Sequence, residues 1–222
     1  MTAPRWATFD CYGTLIDWEG GIRAAMASVW PDADPEALLR RHHAVEHLVQ
    51  EGRALPYREV LARCLEAVGA IEGRVVGAGR RFALAESLPE WPVFADVPPA
   101  LTELRRRGWR LAILSNTDPD LLAASVRNIG VDVDLRITAA DAGSYKPAHG
   151  HWTRFLAESG AEPTSHVHVA ASLFHDIAPA AQLAIPSVWI NRLGESSELP
   201  RAGELTSLAG LADVLEELVP DA

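Results

Sequence analysis

Only two cysteines, Cys11 and Cys64, occur among the 222 residues, too few for a disulfide framework and in keeping with a reducing cytoplasm. Nothing at the amino terminus reads as a secretory signal, which points to the same cytoplasmic setting. No apolar run approaches the roughly 18 residues that cross a bilayer, so no membrane span is expected. Basic residues are scarce: 20 Lys and Arg stand against 30 Asp and Glu, a formal charge of −10, and they form no long run. That balance argues against a nucleic-acid groove, and an anionic substrate would need locally placed cations. Internal repeats and low-complexity tracts are also missing. What remains, 48% hydrophobic and 23% charged, is ordinary globular composition, long enough for one large domain or a domain with a smaller insert.

The most informative stretch is Trp6-Ala7-Thr8-Phe9-Asp10-Cys11-Tyr12-Gly13-Thr14-Leu15. A short apolar run stops at a carboxylate and is followed by a glycine turn, the pattern of a buried first strand with Asp10 at its carboxyl end. Gly13 allows the sharp turn, and the Thr14 hydroxyl with nearby backbone N–H groups would hold one Asp10 oxygen. The other oxygen would then point outward as a nucleophile. The competing reading is that Asp10 merely caps the next element. Cys11 sits in the opposite strand phase and is expected to pack.

Between residues 22 and 88 no strand pattern interrupts helical periodicity. Helices are expected over 35–49, 57–69 and 73–87, forming an insert that ends in the cluster Pro89, Pro92, Pro98 and Pro99, read as a hinge linker. From Pro98 helices and strands alternate: helix 99–108, strand 110–114, helix 120–128, strand 135–138, helix 149–159, strand 166–171, helix 177–183 and strand 187–190. This alternation predicts a Rossmann-like α/β core with a parallel sheet and helices on both faces. The core would comprise 1–16 and 93–222, and the helical cap 17–92. The tail 204–218 reads as one more amphipathic helix.

Ligands in open α/β sheets lie beyond the carboxyl ends of strands. Ser115 and Asn116 follow the second strand, where they suit either a cleft or a helix cap. Lys146 sits in a loop before Pro147; an ammonium within about 4 Å would keep Asp10 ionised, although a lone lysine is more often a solvated surface charge. Ser172, His175 and Asp176 follow the fourth long apolar run, and Asp176 also fits an N-cap.

Asp10-Cys11-Tyr12-Gly13-Thr14-Leu15, Ser115, Lys146-Pro147 and Asp176 occur in an order that resembles the four motifs of the haloacid dehalogenase superfamily. Tyr12, where phosphatases of that superfamily carry a second Asp, resembles the 2-haloacid dehalogenase branch. Ala170-Ala171 stands where metal-dependent members place Gly-Asp, and methyl groups cannot ligate magnesium. The resemblance implies hydrolysis of a small 2-haloalkanoic acid through an aspartyl ester, with no metal or organic cofactor. It implies catalytic roles for Asp10, Thr14, Lys146, Ser172 and Asp176. It implies that Tyr12, Arg41, Ser115, Asn116 and Trp152 bind the small anionic substrate, with Arg41 taking the halide, although Arg40 is not separated from it by periodicity. His42, His43 and His47 are expected at the surface or the cleft rim rather than on a metal. Departures at Ala171 and Leu173 keep alternatives open: a related metal-independent hydrolase cleaving another C–X bond, such as a C–N ring opening, or a phosphatase. A homodimer through the apolar face of the insert is also expected.

Overall fold

The computed structural model describes residues 4–50 and 55–221. Residues 1–3, 51–54 and 222, which the expected domain limits include, lie outside the described residues. Six parallel strands form one sheet in the order β3-β2-β1-β4-β5-β6. They are β1 (Trp6–Phe9), β2 (Arg110–Ser115), β3 (Leu135–Thr138), β4 (His166–Ala170), β5 (Ser187–Ile190) and β6 (Gly203–Leu205). Every residue of β1, β4 and β5 is buried, as both faces of a parallel sheet covered by helices require. β6 is the strand that the sequence did not reveal. It is three residues long, only partly covered, and replaces the first part of the expected tail helix.

The position of β1 sets up the site. Phe9 pairs with Ile113 of β2 on one side and Val169 of β4 on the other. The chain winds outward from β1 through β2 and β3, then returns to β4 on its other flank, so β1 and β4 border the point where strand order reverses. Crevices in such sheets open there, beyond the strand ends.

Between β1 and the second strand run α1 (Trp18–Val29), α2 (Pro35–Gln50), α3 (Tyr57–Ile71) and the short α4 (Ala83–Ser87). Asp17 caps α1 by accepting the Gly20 N–H at 2.9 Å. Trp91 packs so closely on α1 that a Cβ at Gly21 would lie 2.3 Å from its ring. The expected helix over 73–87 is confined to its last five residues. Gly73 and Gly79 adopt φ of +65° and +79°, conformations that end a helix in the left-handed region.

The proline cluster is also corrected. Pro98 and Pro99 lie inside the first turn of α5 (Val97–Arg106), where a missing N–H loses no helical bond. Pro92 is tied in, since its carbonyl accepts the Asp17 N–H at 2.8 Å while Phe94 N–H donates to Leu15 O at 3.1 Å. The segments leading into and out of the helical block are thus hydrogen-bonded to each other. The remaining helices are α6 (Pro119–Ile129), α7 (Ala139–Ala142), α8 (Gly150–Ser159), α9 (Ala178–Gln182) and α10 (Leu211–Leu218). A π-helical turn, Leu173–Ile177, precedes α9.

Candidate active site

β1 delivers Asp10 to the carboxyl edge of the sheet, and the turn behind it bends at Gly13, whose φ is +90°. Thr14 Oγ1 donates to Asp10 Oδ2 at 2.8 Å and accepts the Ala171 N–H at 2.9 Å, stitching the turn to the end of β4. No backbone N–H reaches the Asp10 carboxylate among the described residues; Gly13 N–H donates to Ile16 O instead. Nor is the second oxygen free. Asp10 Oδ1 receives Lys146 Nζ at 2.8 Å, and nucleophilic attack would use a remaining lone pair.

Lys146 is 2% exposed, and all three of its ammonium protons are used: on Asp10 Oδ1, on Asp176 Oδ1 at 2.6 Å and on Leu114 O at 2.9 Å. Asn116 grips its backbone. The Asn116 Oδ1 accepts the Lys146 N–H at 2.6 Å and its Nδ2 donates to the Lys146 carbonyl at 3.0 Å. Asn116 is therefore mainly a positioner of Lys146, with one amide proton left over.

Asp176 is completely buried. Its Oδ1 accepts both Lys146 Nζ and, at 3.0 Å, His168 Nε2, while Oδ2 has no partner among the described residues. A buried chain continues beneath it, with Thr8 Oγ1 2.9 Å from His168 Nδ1 and 2.6 Å from His166 Nε2. Because a carboxylate only accepts, His168 carries its proton on Nε2 and Nδ1 accepts from Thr8.

Three buried charges share this floor. Burial would raise the Asp176 pKa, but the Lys146 ammonium and the His168 hydrogen bond outweigh it and hold Asp176 well below the usual carboxylate range. Burial pushes the Asp10 carboxyl up, with the Asp176 charge adding to it against the pull of Lys146. Burial opposes the Lys146 charge too, but its two carboxylates prevail and keep it protonated. With the Lys146 ammonium already between the two floor carboxylates and an apolar Ala171 lining the cleft beside them, the donor set does not fit a divalent cation.

The cleft above has a volume of about 580 Å³. Asp10, Tyr12, Ser115, Asn116, Lys146 and Ser172 all line it, as does Asp176. The Ser115 hydroxyl is buried without a partner among the described residues. Tyr12 presents its ring, stacked 6.1 Å from Tyr57, and turns its hydroxyl away onto Ser125 Oγ at 3.0 Å. Ser172 caps the π-helical turn by accepting the His175 N–H at 3.0 Å.

Two expected residues are elsewhere. Arg41 leaves the cleft: its side chain is 54% exposed and pairs with Glu72 at 2.9 Å. The α2 residues that do line the cleft are His43, Glu46, His47 and Gln50, a stripe centred roughly 180–200° around the helix from Arg41. Arg40 also stays outside, 70% exposed near Asp34. Trp152 is fully buried in a core cluster with Trp6 and Phe155. It touches the site only from below, its ring edge-on to His168 at 5.3 Å, because α8 turns its Trp152–Phe155 face to the sheet.

Glu46 and Arg192, to which the sequence reading gave no role, also line the cleft, and so does His175. Tyr57 Oη donates to Glu46 Oε1 at 3.3 Å and accepts from Trp18 Nε1 at 3.1 Å; burial pushes the Glu46 carboxyl up to about 7. The spacing 43, 46, 47, 50 is a single helical face and was the available signal. His42, expected at the surface or the cleft rim, is instead buried beside Trp18 with neither ring nitrogen partnered among the described residues.

Comparison with known proteins follows the same lines. A family model described as haloacid dehalogenase-like hydrolase matches residues 4–183. The chain is 27% identical over 217 residues to an (S)-2-haloacid dehalogenase of Pseudomonas sp. (strain YL), covering 94% of this chain and 93% of that protein. It is 25% identical to (S)-2-haloacid dehalogenase 4A of Burkholderia cepacia, covering 98% and 97%. Among solved structures, L-2-haloacid dehalogenase from Xanthobacter autotrophicus with chloropropionic acid covalently bound superposes with a TM-score of 0.83 at 19% identity, over 96% of this chain and 98% of that one.

Proposed function

The chain belongs to the haloacid dehalogenase-like hydrolases, and on that premise we propose that it hydrolyses small 2-haloalkanoic acids to 2-hydroxy acids and halide. Asp10 attacks C2 from the side opposite the halogen and forms an ester; water then attacks the Asp10 carbonyl and regenerates the carboxylate. The observation that carries this reading is the Asp10 carboxylate fixed by Thr14 and Lys146, with Tyr12 rather than an acid two residues on. A halide leaves without a proton, so no acid is needed at that position. The unpartnered Ser115 hydroxyl and the remaining Asn116 amide proton suit the substrate carboxylate. With Arg41 turned away, the departing anion meets the roof at His43 and His47. Single-turnover hydrolysis in oxygen-18 water tests the scheme: label is expected in Asp10, and label confined to product overturns it.

A second reading is favoured by Glu46, a roof carboxyl that burial pushes up to about 7, so that a share of it is protonated near neutrality. It suits a substrate whose leaving group must be protonated, such as the nitrogen of a strained C–N ring. Halide release measured against amine release over a small substrate panel separates the two.

We also propose that residues 17–92 act as the cap over a core of 1–16 and 93–222, supported by the paired segments at residues 15–17 and 92–94. A cytoplasmic homodimer is proposed as well. Both cysteines are free and buried, and Leu48, Ile71 and Val75 expose apolar surface on the helical block. Sedimentation equilibrium of the wild type beside Val75→Glu checks the pairing.

A further inference from the structure

Asp176, one of the catalytic residues that the resemblance implies, is engaged as an anchor where it stands, with only its Oδ2 lacking a partner among the described residues. Its Oδ1 is bound by an ammonium and an imidazole N–H, and those donors hold its proton affinity well below that of an ordinary carboxylate. A general base works best with a pKa near the working pH. The residue before it, His175, has the geometry for that role. His175 lines the same cleft as Asp10, Lys146 and Ser172, although neighbours on a regular helix diverge by about 100°. The π-helical turn Leu173–Ile177 turns through a smaller angle per residue, and such turns recur at functional sites. It lets both His175 and Asp176 face the cleft.

Ser172 fixes the imidazole. Its Oγ accepts the His175 backbone N–H at 3.0 Å and lies 3.2 Å from Nδ1, while the Phe174 ring packs edge-on at 5.0 Å. With the proton on Nδ1 donated to Ser172 Oγ, Nε2 is the bare nitrogen, and it has no protein partner among the described residues. The charged groups around it are Asp176 on the same turn, Asp10 after β1 and Lys146 after α7, with His47 of α2 and Arg192 and Glu195 after β5 on the cleft wall. Burial, the largest influence, lowers the imidazole pKa from 6.5, so the ring is neutral at pH 7.

We propose that His175 is the general base of the second half-reaction, with Ser172 as its positioning residue. The proposal rests on the aspartyl-ester reading of Asp10. Nε2 removes a proton from water as the water oxygen bonds to the Asp10 carbonyl carbon. The tetrahedral intermediate collapses by breaking the ester C–O bond, and the departing alkoxide takes the proton back from the His175 imidazolium to become the 2-hydroxy acid. Asp10 remains as the acid and loses its proton to solvent. Asp176 anchors Lys146 throughout and transfers no proton.

Rapid-quench mass spectrometry of the intact protein with 2-chloropropionate is the test. In wild type an ester of Asp10 should rise and decay within one turnover. In His175→Gln it should form at a near wild-type rate and decay about 100-fold or more slowly, with the acid limb of the kcat–pH profile lost. Ester decay at the wild-type rate with that limb intact overturns the proposal. If His175→Gln does not fold, Ser172→Ala decides instead: slower ester decay and a shifted acid limb support the assignment, and unchanged decay and limb overturn it. Absence of any ester in wild type, with no oxygen-18 entering Asp10, removes the Asp10 scheme itself, an outcome separate from a variant that forms the ester and clears it normally.

Discussion

Lys146 stands nearer to Asp176 than to the nucleophile, 2.6 Å against 2.8 Å from Asp10. The ammonium is therefore shared, with Asp176 holding it in place so that it can meet Asp10. Removing Asp176 leaves Lys146 compensated by Asp10 alone and strips His168 of its acceptor. Breaking a buried pair in this way destabilises by about 3–5 kcal/mol, so Asp176→Ala should melt well below wild type. Because the Asp176 pKa is lowered from 3.8, its contribution is present above that value and is lost as pH falls through the lower, folded-state pKa. Thermal melts over acid pH should show the gap between variant and wild type narrowing as pH falls.

Asp10 carries the opposite sign. Burial raises its pKa above 3.8, so the stability that goes with its protonated form is full below that value and lost as pH rises through the folded-state pKa. Asp10→Asn should therefore melt at or above the wild-type temperature at pH 7 while losing activity by roughly 10⁴-fold or more. A variant that is inactive because it is unfolded would contradict this, and one melting curve distinguishes the cases.

Glu46 offers a pH test in the roof. Its carboxyl rises from 4.5 to about 7 through burial, so wild-type stability should decline as pH passes from about 4.5 through 7, while Glu46→Gln, which keeps the Tyr57 contact, should not follow. The difference expected above pH 7 is about 1–2 kcal/mol in favour of the variant, once partial solvent access is allowed for. Denaturant titrations at pH 5 and pH 8.5 measure it.

Arg41→Ala should leave kcat and KM for a 2-haloacid within about two-fold of wild type and change stability by less than about 1 kcal/mol, the range of an exposed ion pair. Steady-state kinetics with 2-chloropropionate decide. A large rise in KM would mean that the guanidinium swings from Glu72 into the cleft.

These contrasts show what a linear sequence carries. The placement of Asp10 and Ser115 was legible because apolar runs mark strand ends, and strand ends in a parallel sheet converge, whereas Lys146, in the loop after α7, was marked by the order of the motifs. The phase of α2 was also written in the chain, as the polar stripe His43, Glu46, His47 and Gln50, but position along the chain pointed to Arg41 on the opposite side. Trp152 falls one turn from Phe155, a spacing that marks a core face rather than a cleft. The loop from Glu72 to Phe82 looked helical because its apolar residues kept period while Gly73 and Gly79 broke it. The orientation of His175 was not legible, because nothing in local propensity separates a π-helical turn from the start of α9.

The buried chain beneath the site supplies the last expectation. Thr8 Oγ1 is within hydrogen-bond distance of both His168 Nδ1 and His166 Nε2, so one hydroxyl satisfies two imidazoles inside the sheet. Thr8→Val keeps the shape and β-branching but removes the hydroxyl, leaving two buried ring nitrogens without partners. Each such group is worth about 1–3 kcal/mol, and the pair should lower stability by about 2–4 kcal/mol. The functional effect reaches Asp10 in steps: His168 loses the bond that fixes its Nε2–H on Asp176, Asp176 holds Lys146 less firmly, and kcat falls while KM moves little. Thr8→Ser, which restores the hydroxyl without the methyl, should recover most of kcat. A Thr8→Val enzyme with full kcat and an unchanged melting temperature would show that the chain does not reach the catalytic floor.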